Sequence, residues 1–88
     1  ADARITYEEA IEKAQKLSDT MQEAGCNWEY GLMLVKNGDR DAGVRKMLMT
    51  LTVSREAGLA ITPQLEDFAR RIQIGDPVTQ EMIDLVSF

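Results

Sequence analysis

The sequence predicts an all-α fold, a compact bundle of four to five short helices. Three observations carry that prediction. Apolar residues recur at three- and four-residue steps along most of the chain, the spacing of one helix face. Glycines and Asn, Asp or Thr residues, two of the latter followed by proline, interrupt the pattern where helices would stop and start. The one run with strand character, around Thr50, Thr52 and Val53, has no second strand to pair with, and an isolated strand is not stable.

The elements follow in order. Thr6-Tyr7-Glu8-Glu9 has the spacing of a capping box, with Ile5 and Ala10 placed to form a hydrophobic staple. Ala10, Ile11, Ala14, Leu17, Met21 and Ala24 then form one stripe, so a first helix is expected over residues 7–24, stopped by Gly25. Glu9–Lys13 and Glu12–Lys16 stand as favourable i,i+4 pairs on its wet side. Asn27 reads as the cap of a short second helix reaching Lys36, with Asn37-Gly38 as the turn. Asp39 caps a third helix from Arg40 to Ala57, stopped by Gly58. Its run Met47–Val53 is apolar almost all round, which predicts that this helix is the most buried. Gly43 inside it would let a neighbouring helix approach closely; otherwise it is a defect costing about 1 kcal/mol against alanine. Thr62-Pro63 opens a fourth helix with the stripe Leu65, Phe68, Ala69 and Ile72, ended by Gly75. Asp76-Pro77 repeats the device for a last helix carrying Val78, Met82, Ile83 and Leu85. Short connections make sequential helices antiparallel or steeply crossed neighbours.

The 88 residues fit one helical domain over residues 1–88. A single cysteine, Cys26, excludes an internal disulfide and points to a reducing, cytoplasmic setting. No apolar run approaches a membrane span, and the start, Ala1-Asp2-Ala3-Arg4, lacks the basic and apolar regions of a leader. The net charge is −5, distributed as −4 over residues 1–30, +2 over 31–60 and −3 over 61–88. An acidic chain is repelled on average by nucleic acid and anionic lipid, so the expected partners are protein rather than nucleic acid or membrane.

Much chemistry is absent. No histidine occurs, which removes the commonest general base and metal ligand and the Ser-His and Cys-His pairs. The scattered glycines form no phosphate-binding loop. One cysteine cannot build a zinc site, and Asp39–Asp41 lacks the ladder of a calcium loop. The chain is therefore expected not to be an enzyme and to use no metal or cofactor. Cys26 reads as a small core residue rather than a reactive thiol, because no basic residue lies near it in sequence. Leu65–Leu85 has the outline of a helix-turn-helix. Its last helix, however, offers Thr79, Gln80, Glu81 and Asp84 with no Arg or Lys, which suits a DNA groove poorly.

By elimination, the expected role is that of a small protein–protein interaction module: an adaptor, regulator or assembly factor, with a homodimer as one form of it. The candidate contact residues are Trp28, Tyr30 and Met33, since aromatics and methionine are enriched at interface centres. Trp28, Leu32 and Val35 share one face of the second helix while Tyr30, Met33 and Leu34 lie elsewhere, so one of the two faces is expected to be left over as a contact surface. Arg40, Arg45 and Lys46 add a basic patch for an acidic partner. With Arg55, the same cations define the alternative, a nucleic-acid-binding regulator. An apolar cavity for a small molecule is a third reading that sequence does not test.

Overall fold

A computed structural model describes residues 3–86. Ala1 and Asp2, part of the start read above for leader character, lie outside them. The described residues form a bundle of helices with no strand: α1 (Ala3–Lys16), α2 (Thr20–Lys36), α3 (Arg40–Ala57), α4 (Pro63–Gln73) and α5 (Gln80–Leu85). None of these helices is long and apolar enough to cross a membrane.

The first boundary differs from the sequence reading. Residues 7–24 are not one helix: α1 ends at Lys16, and the chain turns through Leu17, Ser18 and Asp19. Ser18 takes a positive φ of 54°, a left-handed conformation usually left to glycine, and the Asp19 amide returns to the Ala14 carbonyl at 2.8 Å. Asp19 then caps α2 by accepting from the Gln22 amide at 3.1 Å. Asp19 with Gln22 three residues on is itself a helix-start signal. Gly25, the stop expected from sequence, lies inside α2. Three further expectations fall with that boundary. Thr6 is already inside α1 and does not open it. Leu17 and Met21 are each 68% exposed and belong to no core stripe. Asn27 is not a cap but a buried mid-helix residue whose amide donates to the Glu23 carbonyl one turn back. On the wet side of α1, the Glu12–Lys16 pair forms at 3.1 Å.

The later boundaries agree more closely. Asp39 caps α3 through the Ala42 amide, and Gly58 ends it in the left-handed conformation. Thr62 accepts from the Leu65 amide, with Pro63 in the first turn of α4. The last helix starts later than Asp76-Pro77 suggests: Thr79 is its cap, and Val78 precedes it.

α2 and α3 form an antiparallel hairpin around which the rest assembles. The Thr50 hydroxyl donates to the Ala24 carbonyl at 3.1 Å, entirely buried. Seven residues further along α2 and seven back along α3, Gly31 meets Gly43. A Cβ at Gly31 would stand 2.7 Å from the Gly43 carbonyl oxygen, and one at Gly43 would stand 2.6 Å from that of Gly31. The close approach expected of Gly43 is thus present, and its counterpart is Gly31. α2 buries as many residues as α3, so the third helix is not the most buried alone. Met49 and Thr52 in its apolar run face solvent.

α4 and α5 cover one side of the hairpin. Leu65, Phe68 and Ile83 pack with Val35, Val44, Met47 and Leu51, and Trp28 lies half-buried against them. Each such side chain contributes about 1.5–3 kcal/mol on full burial. The Arg40 guanidinium, at the start of α3, donates to the Val78 carbonyl at 3.2 Å and ties down the segment leading into α5. α1 covers the Tyr30 side of α2, running antiparallel to it, with Gln15 donating to Glu23 at 2.9 Å at one end and Tyr7 on Tyr30 at the other. Each of the two faces of α2 that the sequence set apart thus packs on a different neighbour, although Leu32 of the first stays exposed at 37%. Met33 is half-buried and its sulfur accepts from Asn37.

The seam predicts opposite outcomes for three chemically identical substitutions. Gly31→Ala and Gly43→Ala place a methyl against backbone and should each destabilise by roughly 1–3 kcal/mol despite the better helix former. Gly25→Ala meets nothing within 4 Å and should stabilise by about 0.5–1 kcal/mol. Urea unfolding midpoints of the three variants decide the matter; three shifts of the same sign would contradict the seam. In α3, the Ser54 hydroxyl is fully buried and has no hydrogen-bond partner among the described residues. Ser54→Ala should leave stability unchanged or raise it by up to about 1 kcal/mol in the same assay, and a clear loss would show that the hydroxyl is satisfied after all.

Candidate functional site

Of the six residues singled out from sequence, the structure brings three together: Tyr30, Arg45 and Lys46 line one groove. Its position follows from the layout of the helices. α1 and α3 both pack on α2, and where the N-terminal half of each flanks the C-terminal half of α2 they leave a cleft of about 370 Å³. α2 supplies the floor through Tyr30 and Leu34, both buried. α3 supplies a wall through Ala42, Arg45, Lys46 and Met49, which recur at helical spacing and so share one face. Arg4 of α1 closes the opposite rim, and the cap residue Asp39 closes one end.

Tyr30 organises the floor. Its ring stacks on Tyr7 with centroids 5.5 Å apart and planes 9° from parallel. Its hydroxyl donates to the Glu8 carboxylate at 2.9 Å. The Lys46 ammonium lies 5.3 Å from the ring centroid, a cation–π contact worth about 0.5–2 kcal/mol according to its exposure. At 4% exposure, Tyr30 is a buried floor residue, which decides for the core between the two roles, core and contact, that its sequence position allows.

Charge separates this groove from the others. Its lining holds three cations, Arg4, Arg45 and Lys46, against one acid, Asp39, and the Glu8 carboxylate bonded to Tyr30 stands next to the lining, so cations still outnumber acids. The carboxylate of Asp39 is already engaged by the Ala42 amide. Among the other clefts, the one holding Cys26 is acidic, lined by Asp19 and Glu29. The remaining three balance acids against bases. On a chain of net charge −5, cations prevail in the lining of this cleft.

The other candidates lie elsewhere. Trp28 faces α4 and α5, Met33 contacts Asn37, and Arg40 is spent on Val78. Arg55 sits with Glu66, Asp67 and Arg70 beside α4, about 15 Å along α3 from Arg45 at the rise of a helix. The four cations of the nucleic-acid reading are thus divided among three places. The wall residues of α3 were legible in principle, since Ala42, Arg45, Lys46 and Met49 follow i, i+3, i+4 and i+7. The contribution of Arg4 was not, because it depends on the register of α1 on α2, which follows from the turn at residues 17–19.

Cys26 lies in mid-α2, buried, with the Gln22 amide 3.8 Å from its sulfur. Burial pushes its pKa up, the nearby Glu29 and Asp19 carboxylates add to the effect, and the Gln22 hydrogen bond opposes it. The thiolate is the reactive form, so this cysteine is a packing residue. Because the fold disfavours the thiolate, the contribution of Cys26 to stability is fully present below the pKa of the unfolded thiol, about 8.5, and is lost as pH rises through the higher folded value. The urea midpoint of the native chain should therefore fall more between pH 7 and about pH 10 than that of Cys26→Ala. An identical fall in both would show that the thiol does not sense its surroundings.

Among the described residues, no three His, Cys, Asp or Glu side chains converge as a metal site would require. Comparison with protein-family models, with curated proteins and with solved structures finds no match to this chain, so its function has to be read from the groove itself.

Proposed function

We propose that this chain is a small protein–protein interaction module and that the groove between α1 and α3 is its docking surface. The observation that carries the reading is the coincidence of an apolar floor with a cationic rim on an otherwise acidic molecule. Tyr, Met and Arg are the residue types enriched at interface cores, and here they converge on one concave site. The floor is held in place by the α2–α3 seam beneath it, and a preorganised surface loses less entropy on binding. Met49, 47% exposed in the wall, is adaptable in shape and suits a docking position.

The test is a random-peptide display library panned on the whole chain and counter-screened on an Arg45→Glu, Met49→Glu variant. Both side chains are exposed, so the variant should keep its helical circular dichroism and its urea midpoint. Groove-dependent clones, at least about tenfold weaker on the variant, are expected. Recovery only of clones that bind both proteins equally would reject the groove as the docking surface.

A further inference from the structure

We infer that the occupant of this groove is an acidic segment of a partner protein, carrying one or two apolar side chains as anchors. The inference rests on the docking reading above and goes on to name the chemistry of the partner.

The groove asks for two things at once. Arg45 and Lys46 are adjacent on α3 and reach the rim with Arg4 opposite. Arg45 forms no ion pair among the described residues, and its guanidinium can take a carboxylate through two parallel hydrogen bonds. Beside the cations, Met49 presents exposed apolar surface at the edge of the buried Leu34, a surface that suits an apolar side chain better than a charged one. A volume of about 370 Å³ is at the small end of ligand sites and admits a few side chains. A whole helix, about 10–12 Å across, does not fit inside it. The fitting ligand therefore lies along the rim and inserts anchors, with carboxylates flanking them.

The same features weigh against other occupants. A second copy brings −5 to −5, and the two are repelled as they approach. A nucleic acid meets that same overall repulsion, has no use for the apolar floor, and finds Arg40 bonded to Val78 and Arg55 in a separate cleft beside Glu66 and Asp67. An acidic segment is also repelled at long range, but it is drawn to a cleft where the local sign is reversed. Such a field selects where on the surface it binds.

The experiment is fluorescence anisotropy of the whole chain with three labelled peptides of about 14 residues, too short to be stably helical alone. One carries two leucines flanked by glutamates, one has lysine for each glutamate, and one has serine for each leucine. The Glu/Leu peptide should bind, with both twins at least about tenfold weaker, and its affinity should fall as salt is raised from about 0.05 to 0.5 M. Arg45→Glu should cost at least about tenfold; Lys46 is left native because it supports Tyr30. If the lysine twin binds as well or better, or if Arg45→Glu changes nothing, the acidic chemistry is wrong, although groove-dependent clones from the display library would keep the docking reading alive. If none of the peptides binds, the inference is likewise overturned. Sedimentation of the chain alone completes the test: a dimer that Arg45→Glu dissociates would place a second copy in the groove instead.

Discussion

Where α2 crosses α3, the backbones of Gly31 and Gly43 come so close that each carbonyl oxygen occupies space a methyl would need on the other helix. That contact sets the distance between the two longest helices, and the remaining positions of the hairpin follow from it. Seven residues from the crossing, Thr50 is brought within 3.1 Å of the Ala24 carbonyl and spends its hydroxyl there rather than leaving it unpaired in the core. The glycines cost helix propensity, about 1 kcal/mol each. The close packing they permit, with dispersion contacts along both helices, offsets that cost.

With the hairpin set, each neighbour covers one of its sides. α4, although only 11 residues long, buries Leu65 and Phe68 against Met47 and its surroundings. α5 is shorter still and adds Ile83, helped by the bond from Arg40 to Val78 just ahead of it. α1 takes the Tyr30 side. The molecule is accordingly a slab, 35 × 32 Å across and 17 Å thick. A slab buries fewer positions than a sphere, and it leaves seams between helices open to solvent. The groove is one such seam, where α1 and α3 rest on α2 over the buried Tyr30 and Leu34 and leave Arg4, Arg45 and Met49 exposed along it.

Electrostatics give that seam its character. The positive middle third of the sequence does not become a positive face. Folding divides it: Arg40 becomes a structural donor, Arg55 joins the acids of α4, and Arg45 and Lys46 remain together at the groove. Arg4, from the acidic first third, joins them. A cationic cleft on an anionic protein is thus a product of tertiary assembly, and it is the feature from which the proposed partner chemistry is drawn.

The helical class, the cap at Asp39, the stop at Gly58, the Thr62-Pro63 opening and the close approach at Gly43 are all legible in the residues alone. These depend on local rules: which side chain reaches an amide two or three residues away, and which residue tolerates a left-handed or crowded backbone. What local rules decide badly is competition between neighbouring signals. Asp19 with Gln22 and Gly25 both offered a helix boundary, and tertiary packing chose the first. Gly25 continues in helical conformation because the α2–α3 contact on both sides of it outweighs its propensity. The core position of Trp28 is already the favoured reading of its sequence, whereas the buried floor at Tyr30 and the meeting of Arg4 with Arg45 and Lys46 come only from tertiary assembly. Those facts depend on the register of one helix on another, which is set by contacts between residues far apart in the chain.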